Sequence, residues 1–297
     1  MRKVDLQQSP AGAAPAAPPA GFLETIATTH IRSLARVRRR RKLRQHRWVH
    51  SMVRVRHLWE EVLNLLYPAV CCGCGRPAMR LEFCNRCRAE IHTPRSPLCL
   101  VCGAPFGTAR GADHRCERCL TRTFGFGCAR ACALYDAADT VQHPLKSVLQ
   151  RYKYNRDVGL AGPLGQLLSE RCPVVIAAYD VIMPVPLHVS RLRWRGFNQA
   201  QLLAKPLARQ AGVPVDVLSM ERVRPTRPQV ELTEGERRRN VAHAFRVTHP
   251  ERVRQRRILL LDDVYTTGAT VDECSRELKR AGAASVDVLV LARAVLQ

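Results

Sequence analysis

The chain has 297 residues, 46% hydrophobic and 25% charged, enough to bury the core of one full α/β domain and a smaller companion. A formal net charge of +23 suits polyanionic partners, either nucleic acid or phosphorylated small molecules, and only part of it lies in the amino-terminal arm. Thirteen cysteines in pairwise spacing, with no secretory signal, exclude a disulfide-stapled secreted domain and make the cytoplasm the expected compartment. No stretch reaches the ~18 apolar residues of a membrane span, and the small-residue run Ala11 to Ala20 is broken by Pro15, Pro18 and Pro19.

Residues 1–57 read as an extension that buries no core: an Ala/Pro-rich start, then Arg36-Val-Arg-Arg-Arg-Arg-Lys-Leu-Arg-Gln-His-Arg47, with eight basic residues in twelve. Composition predicts disorder there. Leu58, Val62, Leu65 and Leu66 share one face of a short amphipathic helix that Pro68 ends. A cysteine module completes residues 58–127. It contains Cys71-x-x-Cys74, Cys84-x-x-Cys87, Cys99-x-x-Cys102 and Cys116-x-x-Cys119. Two thiolates two residues apart on a tight turn reach one side of a tetrahedral ion, and a second pair completes it, so eight thiols predict two structural Cys₄ zinc sites. Consecutive pairing closes both through short loops and is preferred to interleaving; Cys71, not Cys72, has the required gap to Cys74. Cys72, Cys128, Cys132, Cys172 and Cys274 are expected to be small buried hydrophobes.

From 128 to 297 strands and helices alternate, which predicts a parallel sheet with helices on both faces. The expected strands are Ala131 to Tyr135, Val181 to Met183, an approximate one over Val215 to Val223, Ile258 to Leu261, and Ser285 to Ala292. The expected helices are Val141 to Tyr152, Leu160 to Arg171, Asn198 to Ala211 closed by Gly212, and Glu234 to His243. A last helix places Val271, Cys274, Leu278 and Ala281 at helical spacing before Gly282.

The chain is organised around Ile258-Leu-Leu-Leu-Asp-Asp-Val-Tyr-Thr-Thr-Gly-Ala-Thr270: strand, acidic pair, hydroxyl-rich turn, helix. A helix N-terminus offers unpaired N–H donors and partial positive charge, and Thr266, Thr267 and Thr270 add hydroxyls around Gly268 and Ala269, so a phosphate fits. Asp262 and Asp263 repel phosphate but accept hydrogen bonds from paired sugar hydroxyls. A 5-phosphorylated ribose satisfies both halves. The segment resembles the signature by which type I phosphoribosyltransferases bind phosphoribosyl pyrophosphate (PRPP), the acidic pair on the ribose hydroxyls and the loop around the 5-phosphate.

Further stretches extend the likeness: the paired cysteines, Tyr152-Lys-Tyr154, Asp180-Val-Ile-Met-Pro-Val-Pro-Leu187, Arg195-Gly-Phe-Asn-Gln199, and Thr226-Arg-Pro-Gln229 with Arg237 and Asn240. Together they resemble the ComF family, phosphoribosyltransferase-like proteins associated with DNA uptake in competent bacteria, from about Leu65 to Ala294. The resemblance implies a type I phosphoribosyltransferase-like fold behind a zinc-ribbon-like module. It implies a pyrophosphate site at Val185, Pro186 and Leu187, with Lys153 and Arg195 neutralising the charge, and a loop from Arg224 to Glu234 that closes over the site. On the same likeness magnesium would arrive with PRPP, and Asp262 and Asp263 would lie beside the charge that develops on the ribose. No acceptor is legible; the zinc module stands where a hood over the acceptor could lie. The alternative reading is a non-catalytic single-stranded DNA-binding competence protein that uses the fold to sense a ligand, alone or with other competence proteins.

Overall fold

The computed structural model describes residues 69–107, 110–136, 143–227 and 233–295. The expected helix over Leu58 to Tyr67 and the arginine-rich arm lie outside them. From Ala69 onward the chain is one compact unit, so the cysteine module and the sheet share packing.

The cysteine module holds two short helices, α1 (Asn85–Glu90) and α2 (Glu117–Thr121), each starting directly after a cysteine. Strand β1 (Ala129–Asp136) enters the sheet, followed by α3 (Pro144–Tyr154), α4 (Ala161–Glu170), β2 (Val181–Pro184), α5 (Val189–Arg195) and α6 (Gln199–Ala211). Then come β3 (Met220–Arg222), α7 (Glu234–Val241), β4 (Phe245–Val247), α8 (Pro250–Val253), β5 (Arg257–Tyr265), α9 (Ala269–Arg280) and β6 (Ser285–Val295). Strands β1, β6, β5 and β2 lie in that order, every neighbour parallel, while β3 and β4 form a separate antiparallel pair.

Alternate side chains of a strand point to opposite faces, and a sheet covered on both sides therefore needs uninterrupted apolar strands. Leu259 and Leu261 of β5 pack with α3, α4 and α6, whereas Ile258 and Leu260 pack with α9. The cysteine module divides the same way. Cys71, Cys72 and Cys87 join the first cluster, and Cys99, Cys102 and Cys119 join the second. The two halves of the module thus extend the cores on opposite faces of the sheet.

Four expectations need correction. Strand β5 does not stop at Leu261 but stays paired with β6 through Tyr265, taking both aspartates into the strand. The expected strand over Val215 to Val223 shrinks to Met220–Arg222, because Val215 makes only a single bridge to Ile182 and the Asp216 carboxylate then accepts the N–H groups of Leu218 and Ser219. The stretch between the Pro186 turn and Asn198, for which no helix was expected, forms helix α5 with Arg191, Arg193 and Arg195, and Gly196 ends it in the left-handed conformation at φ 86°. Cys72, Cys132 and Cys274 are buried as expected, while Cys128 and Cys172 are partly exposed.

Candidate functional site

The C-terminal ends of β5 and β2 bring the predicted site residues to one edge of the sheet, the position at which open parallel sheets receive ligands. Asp263 is 7% exposed and forms an ion pair with Lys153 Nζ at 2.8 Å. Burial opposes the Lys153 ammonium, yet the Asp263 carboxylate, by charge and hydrogen bond, leaves its pKa above the ordinary lysine value. Asp262 sits differently. Its Oδ1 accepts the Asp263 N–H at 2.8 Å. Burial, then the neighbouring Asp263 charge, pushes its pKa up to about 7 against the pull of Lys153 and Arg222. Lys153 therefore pairs directly with Asp263, while Asp262 has no direct cationic partner of its own and holds its proton more readily than an ordinary carboxyl.

Behind this pair stand two buried arginines. Arg195 is 7% exposed, and burial pulls its pKa down, with Asp263 opposing that shift. Arg222, also buried, donates from Nη2 to Thr226 Oγ1. In each the Nε atom has no hydrogen-bond partner, a deficit that an incoming anion would fill. Arg222 and Arg191, with His188, Trp194 and Thr226, line a cavity of about 240 Å³. Sequence reading gave Arg222 no site role, although it heads the arginine-rich stretch Arg222-Val-Arg-Pro-Thr-Arg-Pro-Gln229 expected to converge on the ligand.

The turn after β2 offers less backbone than expected. Val185 N–H already donates to Leu261 O at 2.9 Å and Pro186 has none, so of the three predicted residues Leu187 carries the N–H that could meet a ligand. Asn198 Nδ2 pins the turn through Val185 O at 3.0 Å. Asn240 exchanges two hydrogen bonds with the Arg227 backbone, which fixes the start of the Arg224 to Glu234 segment; residues 228–232 of it lie outside those described.

The hydroxyl-rich turn runs from Thr266 into α9. Gly268 holds φ 77°, and a Cβ there would stand 2.3 Å from Tyr265 Oη. No residue but glycine fits both conditions. Thr267 is 3% exposed and its Oγ1 has no partner. The first turn of a twelve-residue helix and an unsatisfied buried hydroxyl thus face the same loop.

The cysteines gather as consecutive pairing predicts: Cys71, Cys74, Cys84 and Cys87 in one cluster, Cys99, Cys102, Cys116 and Cys119 in the other. Zinc–thiolate bonds of about 2.3 Å imply tetrahedral S···S edges of roughly 3.8 Å. Cys71 to Cys87 measures 3.7 Å, Cys74 to Cys84 3.8 Å and Cys102 to Cys116 3.8 Å, so both clusters fit the ion. They are also built alike. Cys84 N–H donates to Cys71 Sγ and Cys116 N–H to Cys99 Sγ, at 3.2 and 3.4 Å. Although burial opposes it, such backbone bonds lower the pKa of Cys71 and of Cys99 to about 6, while burial raises that of Cys87, Cys116 and Cys119, so one thiol in each cluster is predisposed to the thiolate that binds metal.

Comparison with known proteins agrees with both halves. A double zinc ribbon domain matches residues 62–120, and a phosphoribosyl transferase domain matches residues 198–295. The DNA utilization protein YhgH of Salmonella typhi is 33% identical over 77% of this chain and 99% of its own length. Competence protein F of Haemophilus influenzae is 29% identical over 71% of this chain and 96% of its own. Competence protein ComFC of Bacillus subtilis is likewise 29% identical, over 71% and 84%.

Proposed function

The chain belongs to the ComF family, that of the YhgH, competence F and ComFC proteins, with a double zinc ribbon on a phosphoribosyl transferase domain, and from that premise we propose that it binds PRPP with magnesium at the end of β5. The observation that carries this reading is the juxtaposition, on one sheet edge, of the Asp262 and Asp263 carboxylates, the Thr267 hydroxyl without a partner and the N-terminus of α9. The loop Thr266, Thr267, Gly268, Ala269, Thr270 takes the 5-phosphate. Asp262 and Asp263 accept the ribose hydroxyls, while Lys153, Arg195 and the Leu187 N–H receive pyrophosphate. The carboxylate and hydroxyl oxygens here suit a magnesium ion brought by the donor, which would neutralise the leaving group while keeping several waters.

If the site is catalytic, an acceptor lone pair forms a bond to ribose C1 as the C1–O bond to pyrophosphate breaks and that oxygen keeps the electron pair. The acidic pair stabilises the positive charge that develops on the ribose ring. Ligand entry requires Lys153 to exchange Asp263 for a phosphate oxygen, so the ion pair closes the empty site and opens on binding.

Replacing Asp262→Asn together with Asp263→Asn tests this. Charge-assisted hydrogen bonds contribute about 1.5–3 kcal/mol each, so calorimetry is expected to show at least about a hundredfold weaker PRPP binding with zinc content unchanged. Equal affinity in the variant removes the ribose role.

A second reading, compatible with the first, has its own observation. A cavity of about 790 Å³ on the cysteine module is lined by Arg88, His92, Arg95, Phe106 and Arg171. Together with the excess charge and the names of the relatives, it supports docking of single-stranded DNA in a competence role beside other competence proteins, through phosphate contacts and at most one stacking ring. Zinc held by free thiolates fits the reducing cytoplasm proposed as the compartment.

A further inference from the structure

The second ribbon reaches the Thr266 to Thr270 loop through one side chain. Arg293 of β6 stands in register opposite Tyr265 of β5 and is 7% exposed. Its guanidinium lies over the Tyr265 ring, 4.6 Å from the centroid. Nη1 donates to Cys102 O at 2.7 Å, and Nη2 lies 3.8 Å from Cys102 Sγ. The phenol in turn sits under Gly268, so close that a single added carbon would collide with it. A zinc ligand, a buried cation, a buried ring and the turn of the loop thus form one contact chain.

A parallel tie runs to α9. The Asp272 carboxylate accepts Arg122 Nη2 at 2.6 Å and Gly125 N–H at 2.7 Å, and both donors lie just past α2, the helix that carries Cys119. The Asp272 N–H closes the turn on Gly268 O at 2.8 Å. The first ribbon connects elsewhere: Arg151 of α3 donates to Cys72 O at 2.9 Å, two residues before Lys153. Each ribbon supports a different wall of the site.

We propose that Arg293 and Tyr265 are positioning residues through which metal held by Cys99, Cys102, Cys116 and Cys119 sets the affinity of the Thr266 to Thr270 loop for a phosphate monoester. The inference rests on the reading of that loop as the 5-phosphate site. A loop binds phosphate tightly when its N–H groups are fixed before the ligand arrives; loss of the support beneath it turns that preorganisation into an ordering cost. Coupling between two sites is reciprocal, so phosphate binding must also be felt at the metal.

The test uses the full chain loaded with zinc, or with cobalt as a spectroscopic substitute. By calorimetry, Arg293→Leu is expected to keep both zinc ions and the wild-type affinity for magnesium pyrophosphate, while binding ribose 5-phosphate about tenfold more weakly. Arg293→Lys, which retains a cation over the ring and a donor for Cys102 O, recovers most of that loss. In the cobalt-loaded wild type, ribose 5-phosphate shifts the thiolate-to-cobalt absorption, a readout that does not depend on whether the leucine variant folds. Equal loss of both ligands in Arg293→Leu, an unchanged ribose 5-phosphate affinity, or a silent cobalt spectrum overturns the coupling while the loop assignment stands. Failure of the wild type to bind ribose 5-phosphate overturns the loop assignment and the coupling with it.

Discussion

Asp262 and Asp263 are neighbours in sequence and opposites in electrostatics, because a strand alternates its side chains and only Asp263 lands on Lys153. Asp262, raised to about 7, binds a proton in the folded chain over a pH range in which the unfolded chain has already released it at about 4. The native state therefore holds more protons between these values, and stability falls as pH rises from about 4 to about 7. Asp262→Asn is expected to flatten that part of the curve in denaturant titrations at several pH values; a slope identical to wild type contradicts it. Gly268→Ala meets both a positive φ and the Tyr265 hydroxyl, and is expected to cost about 1–3 kcal/mol while weakening phosphate binding. Wild-type stability in that variant would show that the turn is looser than drawn. Neither the Lys153–Asp263 pair nor the role of Arg293 was legible in the sequence, since the partners lie far apart in the chain. Arg293 did leave a trace: a lone cation in the apolar run Val288 to Val295.

Among the elements, those whose chemistry repeats at fixed spacing were readable. The paired cysteines gave both clusters and their consecutive partnership, and the apolar run with its acidic pair located β5 and the N-terminus of α9. The β3–β4 pair was not readable as such, because its short strands depend on contacts brought together by the intervening α7. Helix α5 was hidden by its arginines, which suggest a polar loop. Helix α7 has no apolar face and depends on its start, where Thr233 and Glu236 form a reciprocal capping box. Thr233→Ala is expected to cost about 1 kcal/mol, seen as faster hydrogen exchange across Glu234–Val241. Unchanged exchange would mean that Arg122, which meets Glu234 at 3.3 Å, holds the helix instead.

At the scale of the molecule, zinc ribbons and sheet share their cores rather than standing as beads on a string, since cysteine ligands enter both hydrophobic clusters. Structural zinc contributes on the order of 10 kcal/mol per site, comparable to the whole stability of a domain. Chelation is therefore expected to melt the sheet along with the ribbons, losing the near-ultraviolet and far-ultraviolet circular dichroism together. A sheet that keeps its melting temperature after zinc removal would separate the two units.

The central claim is that the end of β5 is a PRPP site, and its most direct test is a crystal structure with PRPP and magnesium. The account predicts the 5-phosphate on the backbone of Thr266 to Thr270, the ribose hydroxyls on Asp262 and Asp263, and Lys153 moved from Asp263 to the pyrophosphate. Well-ordered PRPP bound elsewhere, or an intact Lys153–Asp263 pair beside an empty loop at saturating ligand, would contradict it.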